Sequence, residues 1–489
     1  MKSLRSSFFL WVTLSLTPLV TQVQAAEILS LDNYLTQVRG KNTGIHGSQA
    51  ISDGGLLRSE EGQLLLAPTA FISAQFTQDS RLNPPVFIPY DSTTLTTLSF
   101  GISKMTSFGL QGRLRYDMST FGYVNPVISP TLAAFAGAIP LNVANASPVL
   151  ELSQSLWGNG FGRSTRAQQE LLEANALSQS YAAKFQVKTQ VLQAERAYWR
   201  LALARQSIAV QSEALDRAQK IYDWTVKQAK LHLRENSDVL QAEALKQSRV
   251  LDLAVSKNEE KSAARAFNSS RNVESEDVPE KLAELQPTSI EGLSLPTKAE
   301  LRDDVRSAKE ASRAAMANAT VNQEKSSPTL ELYASLALNG QRGTTIFANL
   351  SDAISNSFTF NRPTETIGVR FVAPLDLGVV SRSKDGWAKE QAGADLTYQR
   401  RLFEQEQNWK DLAANYSNAK IHLDLSVQLE SIQKSKLSNE RERLLHGRAT
   451  TYQVLLFEQD YLLSQLTRIR SQGTVLNLLA EMKLFGDSL

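Results

Sequence analysis

Residues 163–230 contain neither proline nor glycine, and they follow within five residues of a segment, ELSQSLW (151–157), that alternates polar and apolar positions. Leu150, Leu152 and Leu156 lie on one side of that alternation, with Glu151, Ser153 and Ser155 on the other. Period two reads as a strand, and a polar, alanine-rich run without breakers reads as a helix. Between them stands WGNGFG (157–162), with three glycines in five positions. A strand must therefore turn abruptly into a helix that would extend roughly 100 Å at 1.5 Å per residue. Gly158, Gly160 and Gly162 are expected to tolerate the strained dihedrals of that turn.

The helical stretch recurs. A second one is expected from about Ser237 to Ser269, a third over 298–325, a fourth from about Ser383 through Leu445, and a last from Val454 to Leu484. Apolar positions such as Phe185, Val191, Leu192, Tyr198, Leu201 and Ile208 repeat at three- and four-residue steps, interleaved with alanine. Small side chains and a narrow apolar stripe favour long helices lying side by side as in a coiled coil. Alternating strands are expected at 107–119 with 149–157, and at 329–339 with 364–373. In GLQGRLRYDMS, Leu110, Gly112, Leu114, Tyr116 and Met118 share one face, while Gln111, Arg113, Arg115, Asp117 and Ser119 share the other. Residues 120–148, rich in Pro, Gly and Asn, read as a loop, and a short helix is expected near Leu31–Val38, followed by a glycine-containing segment to Gly62. Two further alternating runs, 70–77 and 94–102, fit three placements: part of a barrel wall, an extracellular or equatorial hairpin, or loops.

The chain also repeats itself. DVLQAEALKQSRVLDL (238–253) aligns with QVLLFEQDYLLSQLTR (453–468), with Glu243 opposite Glu458, 215 positions apart. Each half reads strand, loop, strand, glycine, very long helix, tight tip, shorter helix. The divisions expected are a signal segment at 1–25, a first structural repeat at 26–271, an acidic, proline-containing equatorial segment at 272–297, and a second repeat at 298–489. Lys2 and Arg5, the apolar run Phe8 to Val20 and the small-residue pattern Val23-Gln24-Ala25 make residues 1–25 a secretory signal, so that the mature chain is expected to begin near Ala26.

Composition removes several function classes. The chain has no cysteine, and its four histidines (His46, His232, His422, His446) are not grouped at ligand spacing, so no thiolate chemistry, metal or cofactor is expected. With 52 basic and 50 acidic residues there is no basic signature for nucleic acid. No stretch after residue 25 is long and apolar enough for a transmembrane helix, whereas transmembrane strands stay open because their signal is weak per segment. The carboxylate pairs Glu259-Glu260 and Asp303-Asp304 have no histidine beside them and read as solvated helix surface rather than as an active site.

Taken in order, these motifs resemble the TolC-like outer-membrane efflux protein family over nearly all of the expected mature chain. The family's strand-to-helix junction is matched by QSLWGNGFGR (154–163) and by APLDLG (373–378), where Pro374 and Gly378 fall. Its helix-tip pattern is matched by LRENSDVLQAE (233–243) and HGRATTYQVLLFE (446–458), its helix start by LRDDV (301–305), and its closing segment by LNLLAEMKLFG (476–486). The resemblance implies a mixed α/β membrane protein. Such a protein is a homotrimer with four strands per chain in a twelve-stranded outer-membrane β-barrel, continued by a periplasmic α-helical barrel with an equatorial domain. It implies a non-catalytic conduit that works with a periplasmic adaptor and an inner-membrane transporter, in efflux or type I secretion. A structural or adhesion outer-membrane protein with long coiled coils is the alternative, and it would not need the duplicated junction.

The resemblance also marks gate or docking positions at the tips. Asp238 matches the family's tip aspartate; in three copies it would make a carboxylate ring that selects cations or is released by adaptor docking, and a first-turn acid after Ser237 reads the same residue. The second tip departs from the family pattern, carrying Gly447 and Arg448 with Tyr452, Gln453 and Leu456. Gly447 suits a tight turn, and Arg448 suits a contact with a neighbouring helix or an adaptor as well as an exposed position. Phe108, Tyr116, Phe121 and Tyr123 suit an aromatic belt.

Overall fold

The computed structural model describes residues 28–81, 88–283, 285–287, 290, 296–344 and 349–486. The signal segment expected at 1–25 lies outside these. In chain order the strands are β1 (Ile28–Leu29), β2 (Thr69–Asp79), β3 (Ser92–Met105), β4 (Leu110–Val124), β5 (Asn142–Trp157), β6 (Lys281–Leu282), β7 (Thr329–Leu338), β8 (Gly340–Thr344) and β9 (Pro363–Val372). The α-helices are α1 (Leu31–Lys41), α2 (Thr43–Arg58), α3 (Arg163–Lys230), α4 (Asn236–Ser270), α5 (Asp303–Lys325), α6 (Leu350–Asn356), α7 (Leu377–Leu445) and α8 (Thr451–Met482). They form two compact units. One comprises Met1–Asn42, Gln193–Leu293 and Ala419–Leu476; the other comprises Thr43–Leu192, Ser294–Asn418 and Asn477–Leu489.

The second unit holds a seven-stranded sheet in the order β2-β3-β4-β5-β7-β9, with β8 beside β5, and every pairing is antiparallel. The runs at 70–77 and 94–102 are thus strands of the same sheet as β4, joined to it by fourteen continuous pairs from Ser92↔Val124 to Met105↔Gln111. Where a loop was expected over 120–148, β4 continues to Val124 and β5 begins at Asn142. Residues 120–124 (TFGYV) are strand formers apart from Gly122, whereas 142–148 (NVANASP) have little strand propensity of their own. Pairing with β4 on one side and β8 on the other forms residues 142–146 as strand, an interaction no local pattern reports.

Register makes the sheet two-faced. Ile72, Phe100, Tyr116, Leu98, Leu114, Leu150, Leu336 and Ile367 fall on one side, strand after strand. Arg113, Arg115, Asp117, Glu151, Glu331 and Arg370 fall on the other. There Arg115 bridges Glu151 at 3.0 Å and Asp117 at 3.4 Å, while Ser99 donates to Asp117 at 2.7 Å. Of the four aromatics expected in one belt, Tyr116 is on the apolar side, but Phe121 and Tyr123 share the charged side by register, and Phe108 lies in the β3–β4 turn. The short helix α6 covers one patch of the apolar side, packing Ala353 and Ile354 onto Ala144, Ala146, Tyr116 and Met118.

Helix α2 occupies the glycine-containing segment before Gly62. Its glycines argue against helix by propensity, yet one of them is needed: a Cβ on Gly55 would lie 2.8 Å from the Ala176 carbonyl oxygen of α3. Ser52 and Ser180 meet beside it at 3.2 Å. The helix forms because small residues let its backbone close on α3. In the same unit the LRDDV segment opens α5, and its acids are not solvated as expected. Asp303 is buried against Lys188 Nζ at 2.7 Å, and Asp304 accepts from Arg302 at 2.6 Å. A charged pair out of water persists because each partner neutralises the other. Glu260, by contrast, is half-exposed and bridges Arg205 at 3.0 Å.

Several apolar groups hold the first unit, among them Val210, Ala214, Leu462 and Ile469. Tyr34 and Phe267 stack with centroids 4.1 Å apart, Tyr198 tilts against both, and the Tyr34 hydroxyl donates to the Phe267 carbonyl at 3.0 Å. Beside them β1 and β6 pair in parallel. Another group joins the helix ends: Ile221, Ala242, Leu437, Leu444, Val454, Leu455 and Tyr461.

Candidate functional site: helix tips and strand-to-helix junctions

At both tips the chain closes one helix with the same hydrogen bonds and opens the next. After α3, Leu233 N–H donates to the Gln228 carbonyl at 3.0 Å and His232 N–H to Ala229 at 3.0 Å, with His232 at φ +57°. After α7, Arg448 N–H donates to Arg443 at 2.7 Å and Gly447 N–H to Leu444 at 3.0 Å, with Gly447 at φ +69°. Each is a Schellman cap, which satisfies helix carbonyls by turning one residue left-handed. His232 and Gly447 stand 215 positions apart, as do Glu243 and Glu458. Glycine enters that conformation freely; histidine does so at a cost of about 1 kcal/mol, a position sequence reasoning passed over.

Asp238 occupies the third helical position of α4, after the cap residue Glu235, whose side chain makes no capping bond. Its carboxylate is half-exposed, makes no ion pair or hydrogen bond among the described residues, and lies where the helix dipole favours negative charge. Gln453 takes the equivalent place in α8. There it accepts from Thr450 N–H at 3.0 Å while Thr450 Oγ1 accepts from Gln453 N–H at 3.2 Å, a reciprocal capping box. Tyr452 and Arg448 are exposed, and Arg448's guanidinium has no bonding partner among the described residues. Arg234 bridges the tips, donating to the Ala449 carbonyl at 3.3 Å with its guanidinium over the Trp224 ring. Behind them Glu458, 4% exposed at its side chain, receives both Arg217, at 3.0 Å, and Arg441. Glu458 appeared in the sequence only as a repeat marker; its charge on an otherwise buried helix face was the signal.

The first junction uses its residues unevenly. Gly162 has φ +76°, and a Cβ there would lie 2.7 Å from Gly109 N and closer still to the Ser107 carbonyl oxygen, so the β3–β4 turn rests on its bare Cα. Gly158 has φ +62° and faces the Pro328 carbonyl, 2.7 Å from a would-be Cβ. Gly160 meets neither condition: its φ is not in the left-handed region and the space around it is open. The strained dihedrals lie instead at Asn159 (φ +84°) and Phe161 (φ +48°). Asn159 is held there by its own contacts. Its Oδ1 accepts from Thr165 N–H at 3.0 Å, capping α3, and its N–H donates to Glu324 at 3.1 Å. At the second junction Pro374 is exposed and Gly378 lies inside the first turn of α7 without a positive φ. The cap is Asp376, whose carboxylate accepts from Val379 N–H at 3.0 Å.

No group of three or more His, Cys, Asp or Glu side chains able to hold a metal occurs among the described residues, and no described helix is long and apolar enough to cross a membrane. Neither a family model nor a curated protein matches the chain by sequence. Solved structures match its fold over nearly the whole length. The outer membrane protein VceC of Vibrio cholerae is 14% identical, covers 93% of this chain and 96% of its own, and superposes with a TM-score of 0.63. The open-state outer membrane channel MtrE of Neisseria gonorrhoeae is 15% identical over 93% of this chain and 89% of its own, TM-score 0.63. The CmeC outer membrane channel of Campylobacter jejuni is 14% identical over 93% and 85%, TM-score 0.62. The chain has the mixed α/β fold of these channels, a strand sheet with long helices.

Proposed function

We propose that this chain is the outer-membrane channel subunit of a tripartite efflux or type I secretion system in a Gram-negative bacterium, conducting substrate passively from the periplasm to the exterior. The observation that carries the reading is the two-faced sheet: one side mainly apolar across six successive strands, with Lys104 and Glu365 the charged exceptions, the other lined by paired charges. Within a bilayer a sheet can have no open edge, so such a sheet requires further copies to close it into a barrel. The apolar side then meets lipid and the charged side water. Helix α6 covers the apolar side near the end of β5 distal to the junction, which leaves the lipid band between α6 and the junction. Three arginines (Arg113, Arg115, Arg370) and four carboxylates (Asp79, Asp117, Glu151, Glu331) on that side give a wall without strong preference for either sign.

The assembly in this reading is a homotrimer, as the family resemblance implies, and the helices support assembly. Ile421, Leu425, Leu429 and Ile432 of α7 are 44–64% exposed at helical spacing, a stripe suited to a neighbouring helix. The halves 26–271 and 298–489 act as structural repeats, with 272–297 as the equatorial segment. The tips form the periplasmic gate, where Asp238 contributes a carboxylate ring and Arg448, Tyr452 and Gly447 form a surface for the adaptor that links channel to inner-membrane transporter. Opening is iris-like, and the energy comes from the transporter.

Single-channel recording in planar bilayers tests this with wild type beside Asp238→Ala. A small conductance that rises, or loses cation selectivity, in the variant supports both channel and ring. Equal conductance and selectivity leave the pore and reduce Asp238 to a helix-terminal acid. Purified, folded protein without channel activity refutes the proposal.

A further inference from the structure

The two strands ahead of β4 change where one copy would meet the next. In a chain whose wall has four strands, β4, β5, β7 and β9, the free edges are β4 and β9, and copies join there. Here β4 has no free edge. Its outer side is paired with β3 along the whole of β3, and β3 is paired in turn with β2 from Thr69↔Ser103 to Asp79↔Thr93. The β3–β4 turn is locked onto the strand-to-helix junction: Ser107 and Gly109 press on Gly162, and Arg166 donates to the carbonyls of both Ser107 and Phe161. The β2–β3 pair is built into the wall.

From this we infer that the seam between copies is β9 against β2 of the next copy, with six strands per chain in the wall. The inference rests on the proposed outer-membrane channel reading and specifies its assembly. Four features fit the seam. Among the described residues, β2 and β9 are the ends of the sheet and neither has a further partner. Each pairing reverses direction, so over six strands β2 and β9 run oppositely and can pair antiparallel across copies. Their lengths match, 11 and 10 residues. Their apolar sides are also both open: Ile72 and Phe76 are 76% and 66% exposed, Ile367 and Val369 81% and 63%. A head-to-tail contact of this kind closes into a ring. In a ring of three the wall counts eighteen strands rather than twelve, a size at which barrels keep an aqueous channel.

The chain has no cysteine, so introduced pairs report without background. Ser73→Cys in β2 would be combined separately with Thr364→Cys, Thr366→Cys and Val372→Cys in β9, all on the charged side of the sheet. Gln111→Cys and Ser119→Cys in β4 would be combined with the same three as the competing seam. Each variant is exported, oxidised in isolated outer membranes, run on non-reducing gels and recorded in bilayers. Covalent dimers and trimers from at least one Ser73 pair, with none from β4, are expected. Cross-links from β4 to β9 and none from Ser73 overturn the six-strand seam and leave the channel intact. Conducting variants without cross-links from either set overturn the seam as well. Loss of oligomer and conductance in every variant and in wild type alike overturns the channel reading on which the seam rests.

Discussion

Gly162→Ala and Gly160→Ala, two residues apart, should behave in opposite ways. Gly162 has φ +76°, where an L-residue costs about 1–2 kcal/mol. Its new methyl would also sit 2.7 Å from Gly109 N, against backbone rather than a movable side chain, which adds about 1–3 kcal/mol of overpacking. The total is about 2–5 kcal/mol, concentrated where the β3–β4 turn meets α3. At Gly160 nothing lies within 4 Å of an added Cβ, and the loss of unfolded-chain freedom would stabilise by about 0.4–1 kcal/mol. Thermal unfolding of the two purified variants beside wild type, followed by circular dichroism and by protease cleavage near residues 158–163, measures the difference. A clear fall in midpoint and new cleavage for Gly162→Ala, with none for Gly160→Ala, is expected. Equal damage at both positions, or none at Gly162, would refute the assignment of strain and close approach to Gly162.

Further outcomes follow from other groups. Asp303→Ala leaves the buried Lys188 ammonium without a counter-ion, its Nζ still donating to the Gly486 carbonyl at 2.7 Å, and should cost about 3–5 kcal/mol, while Lys188→Met combined with Asp303→Leu should recover most of it; denaturant midpoints of the singles and the double decide. Burial pushes the Tyr34 hydroxyl up to about 12, the Ser270 hydrogen bond and the nearby Arg271 charge offsetting part of that rise. The folded state therefore holds the proton more tightly than the unfolded chain. Its contribution is complete below pH 10 and declines between pH 10 and about 12, by about 2–3 kcal/mol. An alkaline melting series should show a smaller loss over that window in Tyr34→Phe. Asp376→Ala removes the side-chain cap of α7 and should cost about 1 kcal/mol, seen as fraying in hydrogen exchange of residues 377–380. Leu425→Lys together with Ile432→Lys should abolish the assembled species in light scattering while leaving helix content unchanged; a normal assembly would argue against the α7 stripe as a contact.

How legible the structure is in the sequence depends on whether the deciding interaction is local. The start of α3 follows the last of three closely spaced glycines, a property of single residues. Its end at Lys230 falls inside a stretch free of glycine and proline that runs from 163 to 278, and is set by the backbone cap at His232. Helix α2 was hidden by its glycines, whose value lies in contact with Ala176 far along the chain. The alternation of β2 and β3 was visible, but their membership in one sheet is a pairing fact, and residues 142–146 become strand only through neighbours on both sides. At the junction Gly158 and Gly162 could be read directly. Asn159 and Phe161, left-handed without being glycine, could not, since Asn159 is held by Thr165 and Glu324. Asp303 misled because its partner Lys188 is more than a hundred residues away.

The unequal caps at His232 and Gly447 bear on how the protein can diverge. Each turn closes its hydrogen bonds with its own backbone, so the loop side chains can vary without disturbing the helices behind them. They differ in chemistry while sharing geometry: one carries an imidazole and an unpaired acid, the other a glycine and a glutamine held in its cap. An assembly of three such chains would present six loops of two alternating kinds. Any collar gripping that rim must then either read every second loop or carry two sorts of socket, which fixes its symmetry before its identity is known.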